Sequence, residues 1–173
     1  PYFDSGKFDF MFIKSLINAY RFAYTKIPAL WEGLEQGFRW VTKYPDKIFA
    51  SKDNLIQIGN SFGTVWIRLP SYRQLYYRHA SINSRGIISY HHGKLWGGTI
   101  VENVVQAIAR DLLGYWILEF EEAGFPVVLH AHDEIVALDT VDHIEDGFIY
   151  ANEIMCTVPS WARGLPVGAE GKV

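Results

Sequence analysis

The sequence predicts an α+β fold, an antiparallel hairpin and sheet packed with long helices. Apolar residues recur at helical spacing over residues 7–41 and again over 99–123. Residues 55–69 and 126–138 instead carry short β-branched runs interrupted by turn residues. The chain has 173 residues, 49% of them hydrophobic and 20% charged. A chain of this size buries about 70% of its unfolded surface without metal or disulfide staples. That balance excludes disordered, collagen-like and coiled-coil proteins, and no internal repeat, low-complexity tract or linker interrupts it.

In residues 7–41, Phe12, Leu16, Ala19, Tyr20 and Ala23 mark one apolar stripe, and Leu30, Leu34, Phe38 and Val41 mark a second. Pro28 kinks this run or starts a second helix after Thr25. The aromatic residues Phe8, Phe10, Phe12, Tyr20, Tyr24 and Trp31 give it an apolar face too large for one short domain to cover, a mark of an interface. Tyr44-Pro45-Asp46 reads as a turn. Ile56, Ile58, Val65 and Ile67 then form strands around a turn at Gly59-Asn60-Ser61, and Pro70-Ser71 closes that section. Ile87, Ile88 and Tyr90 suggest another strand.

The helix over 99–123 begins with Thr99-x-x-Glu102, the spacing of a capping box. Val101, Val104, Val105, Ile108, Leu112 and Tyr115 build its apolar stripe, and Gly124 serves as its C-cap. Two apolar runs, 126–129 and 135–138, flank the polar cluster His130-Ala131-His132-Asp133-Glu134 and make a β-hairpin with its acidic residues at the bend. Asp139 or Thr140 caps a last helix that runs to Met155. The tail from Pro159 has few periodic apolar positions.

The net charge of -3 divides unevenly. Residues 1–100 carry 13 Lys and Arg against 6 Asp and Glu, whereas residues 101–173 carry 3 against 13. A basic half suits a polyanion, and an acidic half suits metal ions or a basic partner; two solvated surfaces with partly cancelling fields explain the same split. The single Cys156 excludes an intramolecular disulfide and reads as a core residue, since nothing beside it would lower its pKa. No apolar run approaches the length of a membrane span, and Pro1-Tyr2-Phe3-Asp4 does not open a signal peptide. The expectation is a soluble cytoplasmic protein with no membrane partner.

Asp133 and Glu134 are the residues that call for chemistry. Two carboxylates at a bend flanked by buried β-branched residues are costly without a cation, and hard oxygen donors on a turn suit Mg²⁺. An exposed turn in which Asp is simply favoured is the plainer alternative. His130 and His132, on one side of an extended segment, could hold a transition metal, with His91 and His92 completing a four-histidine set. On the long helix Asn103, Gln106 and Arg110 form a polar strip opposite the core stripe. Such a strip is either a solvated face or one laid against nucleic acid, with an amide for base edges and an Arg for phosphate. No Walker-type phosphate loop and no Gly-x-Ser-x-Gly occurs.

Residues 100–111, IVENVVQAIARD, followed by residues 124–136, GFPVVLHAHDEIV, resemble the C-terminal palm of family A DNA polymerases, particularly the phage members. His132-Asp133-Glu134 between apolar strands is similar to the family's motif C. Leu69-Pro70-Ser71-x-Arg73 resembles a phage segment between fingers and palm, with Tyr72 standing where relatives usually have Gly. Tyr20-Arg21 through Trp31 resembles the fingers helix after the nucleotide-binding helix, and Trp161-Ala-x-Gly-Leu-Pro166 resembles the family's tail.

The resemblance implies an incomplete family A polymerase fold, with residues 1–50 ending the fingers and residues 51–173 forming a palm segment. It implies Asp133 as a ligand of catalytic Mg²⁺, with Mn²⁺ as a substitute, and Glu134 as the neighbouring acidic residue. His132 would contact the primer-terminal backbone and Gln106 the primer–template minor groove, with Asn103, Arg110 and Arg73 as further DNA contacts. The implied partners are primer–template DNA and a deoxynucleoside triphosphate. Motif A, an Asp-Tyr-Ser-like strand with the other catalytic Asp, is not found. Motif B, an Arg followed four residues on by Lys and then by Tyr-Gly, is not found either. Two-metal phosphoryl transfer needs carboxylates on both ions, so the remaining partner is a polymerase chain or segment carrying motifs A and B. Two rivals stand beside this reading: a palm-like module that binds DNA or protein without chemistry, and a metallohydrolase built on the histidines.

Overall fold

A computed structural model describes residues 9–173. The expectations placed on residues 1–4 and on Phe8 lie outside the described residues. Four α-helices, α1 (Phe10–Ala23), α2 (Lys26–Lys43), α3 (Gly97–Glu122) and α4 (Ile144–Cys156), are described. The strands are β1 (Phe49–Ala50), β2 (Gln57–Ser61), β3 (Thr64–Arg68), β4 (Gln74–Tyr77), β5 (Ser81–Ile82), β6 (Ile88–Tyr90), β7 (Gly93–Leu95), β8 (Val127–Ala131) and β9 (Glu134–Ala137). They form one sheet in the order β1-β2-β3-β4, a second in the order β5-β6-β7 and the β8-β9 pair. The mixed α/β class with small antiparallel sheets matches expectation. No described helix is long and apolar enough to cross a membrane.

The chain divides into two compact units, one made of residues up to Ile67 with Tyr76–Glu102, the other of Arg68–Leu75 with Asn103–Val173. In the first unit the helical run breaks at Tyr24-Thr25, and Pro28 falls in the first turn of α2, where its missing N–H costs nothing. Leu34, Phe38 and Val41 form the buried stripe of α2 against β1 and β2, and Phe38 meets Tyr77 edge-on at 5.4 Å. Helix α1 buries no side chain, and Phe10, Phe12, Tyr20 and Tyr24 are all exposed as the sequence anticipates, whereas Trp31 of that set is partly buried and meets Trp96 edge-on at 5.5 Å.

The turn expected at Gly59-Asn60-Ser61 lies one step later. Gly59 is inside β2 because the Trp66 indole occupies the space a Cβ would need. The chain reverses at Phe62-Gly63, both with positive φ (51° and 77°), the pattern of a two-residue hairpin turn. The capping box also fails: α3 begins at Gly97, so Thr99 is already inside the helix. The cap comes from a distant residue, since the Gly97 N–H donates to Glu35 Oε2 at 2.6 Å while Glu35 Oε1 accepts from Arg39 Nη2 at 2.6 Å. Sequence spacing cannot report a cap delivered from another helix.

In the second unit α3 ends in a Schellman motif at Gly124 (φ 88°), with the Phe125 N–H donating to Phe120 O at 2.9 Å. Phe120, Phe125 and Ile154 form its core, with Trp116, Val127, Ile135, Ala137 and Met155 packed around them. The expected stripe holds at Val101, Val104 and Leu112, but Val105 is 55% exposed and Ala107 and Leu113 are buried instead. The last helix is preceded by a 3-10 turn, Val141–His143, and Cys156, expected in the core, ends α4 exposed while Ile154 points inward.

Glu35 joins two helices through one carboxylate. Burial raises its pKa, but the hydrogen bonds from Arg39 and the Gly97 amide, with the Arg39 charge, outweigh this and hold it below the ordinary glutamate value of 4.5. Its contribution is complete above that value and is lost as pH falls through the lower folded value. Glu35→Gln should cost about 1–3 kcal/mol at neutral pH. Thermal unfolding from pH 7 to pH 3 should show the gap between variant and wild type closing.

Candidate functional site

The acidic residues sit on the β8–β9 hairpin. Ala131 pairs with Glu134, His130 with Ile135 and Leu129 with Val136, so the turn is the two residues His132 and Asp133. His132 has φ 54°, a conformation His tolerates better than most residues. The bend is thus tighter than the five-residue cluster suggested: His130 and Ala131 complete β8 and Glu134 opens β9. Since the extended segment stops at Ala131, His130 and His132 do not line one side of a strand.

The register shifts between Val127 and Leu129, a bulge at Val128. Strand side chains alternate, so the extra residue turns Val127 inward and Leu129 outward although they stand two apart. Val127, Ile135 and Ala137 pack on the Phe120 core. Leu129 and Val136, on the other face, are 60% and 46% exposed, and Val128 and Leu138 are exposed too. The expectation that the carboxylates lie between buried strands is corrected here: only one face of the ribbon is covered. Asp133 and Glu134 are exposed, so burial places no demand for a cation on them. They border an open groove also lined by Phe148, Asn152 and Lys172.

On α3, Gln106 and Arg110 are exposed as the polar strip predicts, while Asn103 is partly buried and already engaged. Arg73 lies against the same helix. Its Nε donates to Asp111 Oδ1 at 2.5 Å and its Nη2 to Ala107 O at 2.8 Å, while Ser71 Oγ donates to Asp111 Oδ2 at 2.5 Å. Between them Tyr72 adopts φ 66°, a backbone position that favours Gly. Two of the three guanidinium nitrogens of Arg73 are therefore committed to the protein. Asp111 is the residue that sequence reasoning passed over; its one signal was a carboxylate next to Leu112 at the edge of the apolar stripe.

Arg39 and Lys43 have the four-residue spacing with which motif B begins, but no Tyr-Gly follows. Arg39 is bound to Glu35 and, through Nη1, to Gly86 O at 2.6 Å. Among the described residues no three His, Cys, Asp or Glu side chains are placed to hold a metal ion together.

Over 93% of its length the chain is 32% identical to a DNA polymerase of Bacillus phage SP02, and it spans 26% of that protein. No family model matches the chain. No solved structure matches it either.

The Asp111 node has a direct test. Asp111→Ala strands the Ser71 hydroxyl and the Arg73 guanidinium and should cost about 1–3 kcal/mol, whereas Arg110→Ala, its exposed neighbour, should stay within about 0.5 kcal/mol of wild type. Denaturant unfolding of both variants reads the difference.

Proposed function

We propose that this chain is the C-terminal palm segment of a family A DNA polymerase and carries motif C of its active site. The observation that carries the reading is the similarity to a phage DNA polymerase along 93% of the chain, which includes the His132-Asp133-Glu134 turn. Template-directed nucleotidyl transfer then requires the rest of the enzyme, the segment with motifs A and B. Primer–template DNA and a deoxynucleoside triphosphate are the substrates, and the host cytoplasm is the setting.

Asp133 and Glu134 offer hard carboxylate oxygens at an exposed tip, a donor set that fits Mg²⁺ or Mn²⁺, ions that keep several waters and take few protein ligands. Asp133 would be the ligand. When bound, such ions neutralise charge on the transferred phosphoryl group and stabilise the attacking and leaving oxygens. One tip cannot supply both sides of that clamp, so the remaining carboxylate must come from the motif A segment. His132, with its side chain at the turn, contacts the primer-terminal backbone in this reading. Gln106 and Arg110 present an amide and a guanidinium to the primer–template, and Asn103 lies beside them on α3. Arg73, held by Asp111, offers its remaining nitrogen to a phosphate.

The uncovered face of the hairpin and the exposed α1 are the surfaces on which the rest of the polymerase docks. Mixing the chain with that segment should restore Mg²⁺-dependent primer extension and raise the melting temperature of both by binding linkage. Extension by these 173 residues unaided would contradict the reading. So would an assembled complex that binds DNA but never extends it, the behaviour of a module without chemistry.

In the assembled enzyme Asp133→Ala should abolish extension with DNA affinity nearly unchanged, because losing the charge clamp costs several kcal/mol of transition-state stabilisation. Activity within about tenfold of wild type would refute the assignment. Gln106→Ala should slow extension from matched and mismatched primers unequally, since an amide in the minor groove senses acceptors that correctly formed pairs share. Single-turnover rates on the two primers decide it, with equal losses counting against the role.

A further inference from the structure

The β2–β3 hairpin of the first unit ends in an aromatic tip that its own fold leaves unused. Phe62 opens the two-residue turn at φ 51°, a conformation that suits Asn, Asp or Gly and strains a bulky residue. Its ring is as exposed as in an unfolded chain, at 107%. The turn itself is held, because the Ala80 N–H donates to Gly63 O at 3.1 Å. That bond brings the exposed Arg78 and His79 up to the tip. No Asp or Glu occurs between Asp53 and Glu102, and the part of that stretch in the first unit also carries Arg85 and Lys94. A strained ring on an anchored turn adds nothing to its own core. It has the form of an anchor for another surface, since aromatic rings concentrate at the buried centres of protein–protein contacts.

The second unit holds an open groove of the opposite character. It runs between β9 and α4, and Phe125, Phe148 and Met155 give it apolar walls. A methionine thioether adapts its shape to an incoming ring and makes a favourable contact with it. The volume of the groove, about 830 Å³, lies within the ~300–1,000 Å³ of clefts that take a ligand, so a ring with its turn fits. Asp133, Glu134, Asp139 and Glu170 stand exposed along it, and Lys172 is the one cation among its lining residues. The sign of the groove is thus the reverse of the sign around Phe62.

We infer that the chain associates with a second copy of itself, the Phe62 tip of one copy seated in the β9–α4 groove of the next. The ring of Phe62 enters between Phe148 and Met155, while Arg78 and its cationic neighbours meet the carboxylates of the groove. Opposite charge steers the encounter and fixes which surface the tip meets. The second copy is the occupant because this chain itself supplies both the knob and a groove complementary to it in shape and sign. Tip and groove belong to different units, so the contact is heterologous. Each added copy leaves one free tip and one free groove, and assembly grows with concentration instead of closing at a symmetric dimer. The inference goes beyond the function proposed above and does not rest on it: no nucleic acid, metal or nucleotide takes part.

The test is sedimentation velocity of the full 173-residue chain over a wide range of concentration, at low salt and without DNA or divalent metal. The sedimentation coefficient should rise with concentration without a plateau at the dimer, and added salt should lower it. Phe62→Gly should weaken association about tenfold or more, as loss of a buried anchor does. The same variant should not lower the melting temperature of the dilute chain, because Gly takes φ 51° without strain. Glu134→Lys with Glu170→Lys reverses two exposed charges of the groove and should weaken association about tenfold or more as well. The first variant keeps its groove and the second keeps its tip, so an equimolar mixture should form a one-to-one dimer and grow no further. A contact of tip with tip, or of groove with groove, could not produce that complementation. A chain that stays monomeric throughout, association that survives Phe62→Gly, or a mixture that forms no dimer would each overturn the inference. Primer extension plays no part in the measurement, so failure of the polymerase reading leaves this result distinct.

Discussion

A two-stranded ribbon is marginal by itself, and the β8–β9 hairpin holds here because one of its faces rests on Phe120, Phe125 and Ile154. The bulge at Val128 decides which face that is. It lets Val127 join Ile135 and Ala137 on the core while Leu129 and Val136 turn away. The position of the His132-Asp133 turn follows from this register, because a one-residue slip would exchange the two faces. The carboxylates are thus placed by packing some distance from them. The apolar side chains left uncovered next to them are the strongest structural sign that something further belongs on this ribbon.

Local grammar reported much of the fold. Helical spacing located α2 and most of α3, the break before Lys26 was readable from Pro28, and Gly124 marked the end of α3. These features depend on residues close in the chain. What escaped depends on partners far apart in it. Gly59 reads as a turn residue until the Trp66 ring is seen to need its missing Cβ. Thr99 and Glu102 have the right spacing for a cap, yet Glu35, 62 residues from Gly97, takes that amide. The apolar runs beside Asp133 and Glu134 read as buried strands, since periodicity cannot say whether a second layer covers a strand.

The candidate site shows the same limit. The exposed strip of Gln106 and Arg110 was legible because it is the complement of an apolar stripe on one helix. The Asp111–Arg73–Ser71 node was not, because it joins residues 38 and 40 positions apart. That node gives the Leu69–Arg73 loop its shape. The Leu69 N–H donates to Arg73 O at 2.8 Å and closes the loop, and Asp111 fixes its far end to α3. A positive φ at Tyr72 is the local cost of that closure. Charge follows a similar division: the carboxylate-free stretch before Glu102 contrasts with the acidic residues of the later chain, and each can meet a different partner.

The central claim is that the uncovered face of the β8–β9 ribbon is completed by the rest of a polymerase. Amide hydrogen exchange of residues 127–138, in the chain alone and mixed with the segment carrying motifs A and B, tests it most directly. The account predicts that the amides of Val128, Leu129 and Val136 slow by about tenfold or more on mixing, as a ribbon covered on both faces opens less often. Exchange in the hairpin that stays unchanged, while the two segments demonstrably associate, would contradict it.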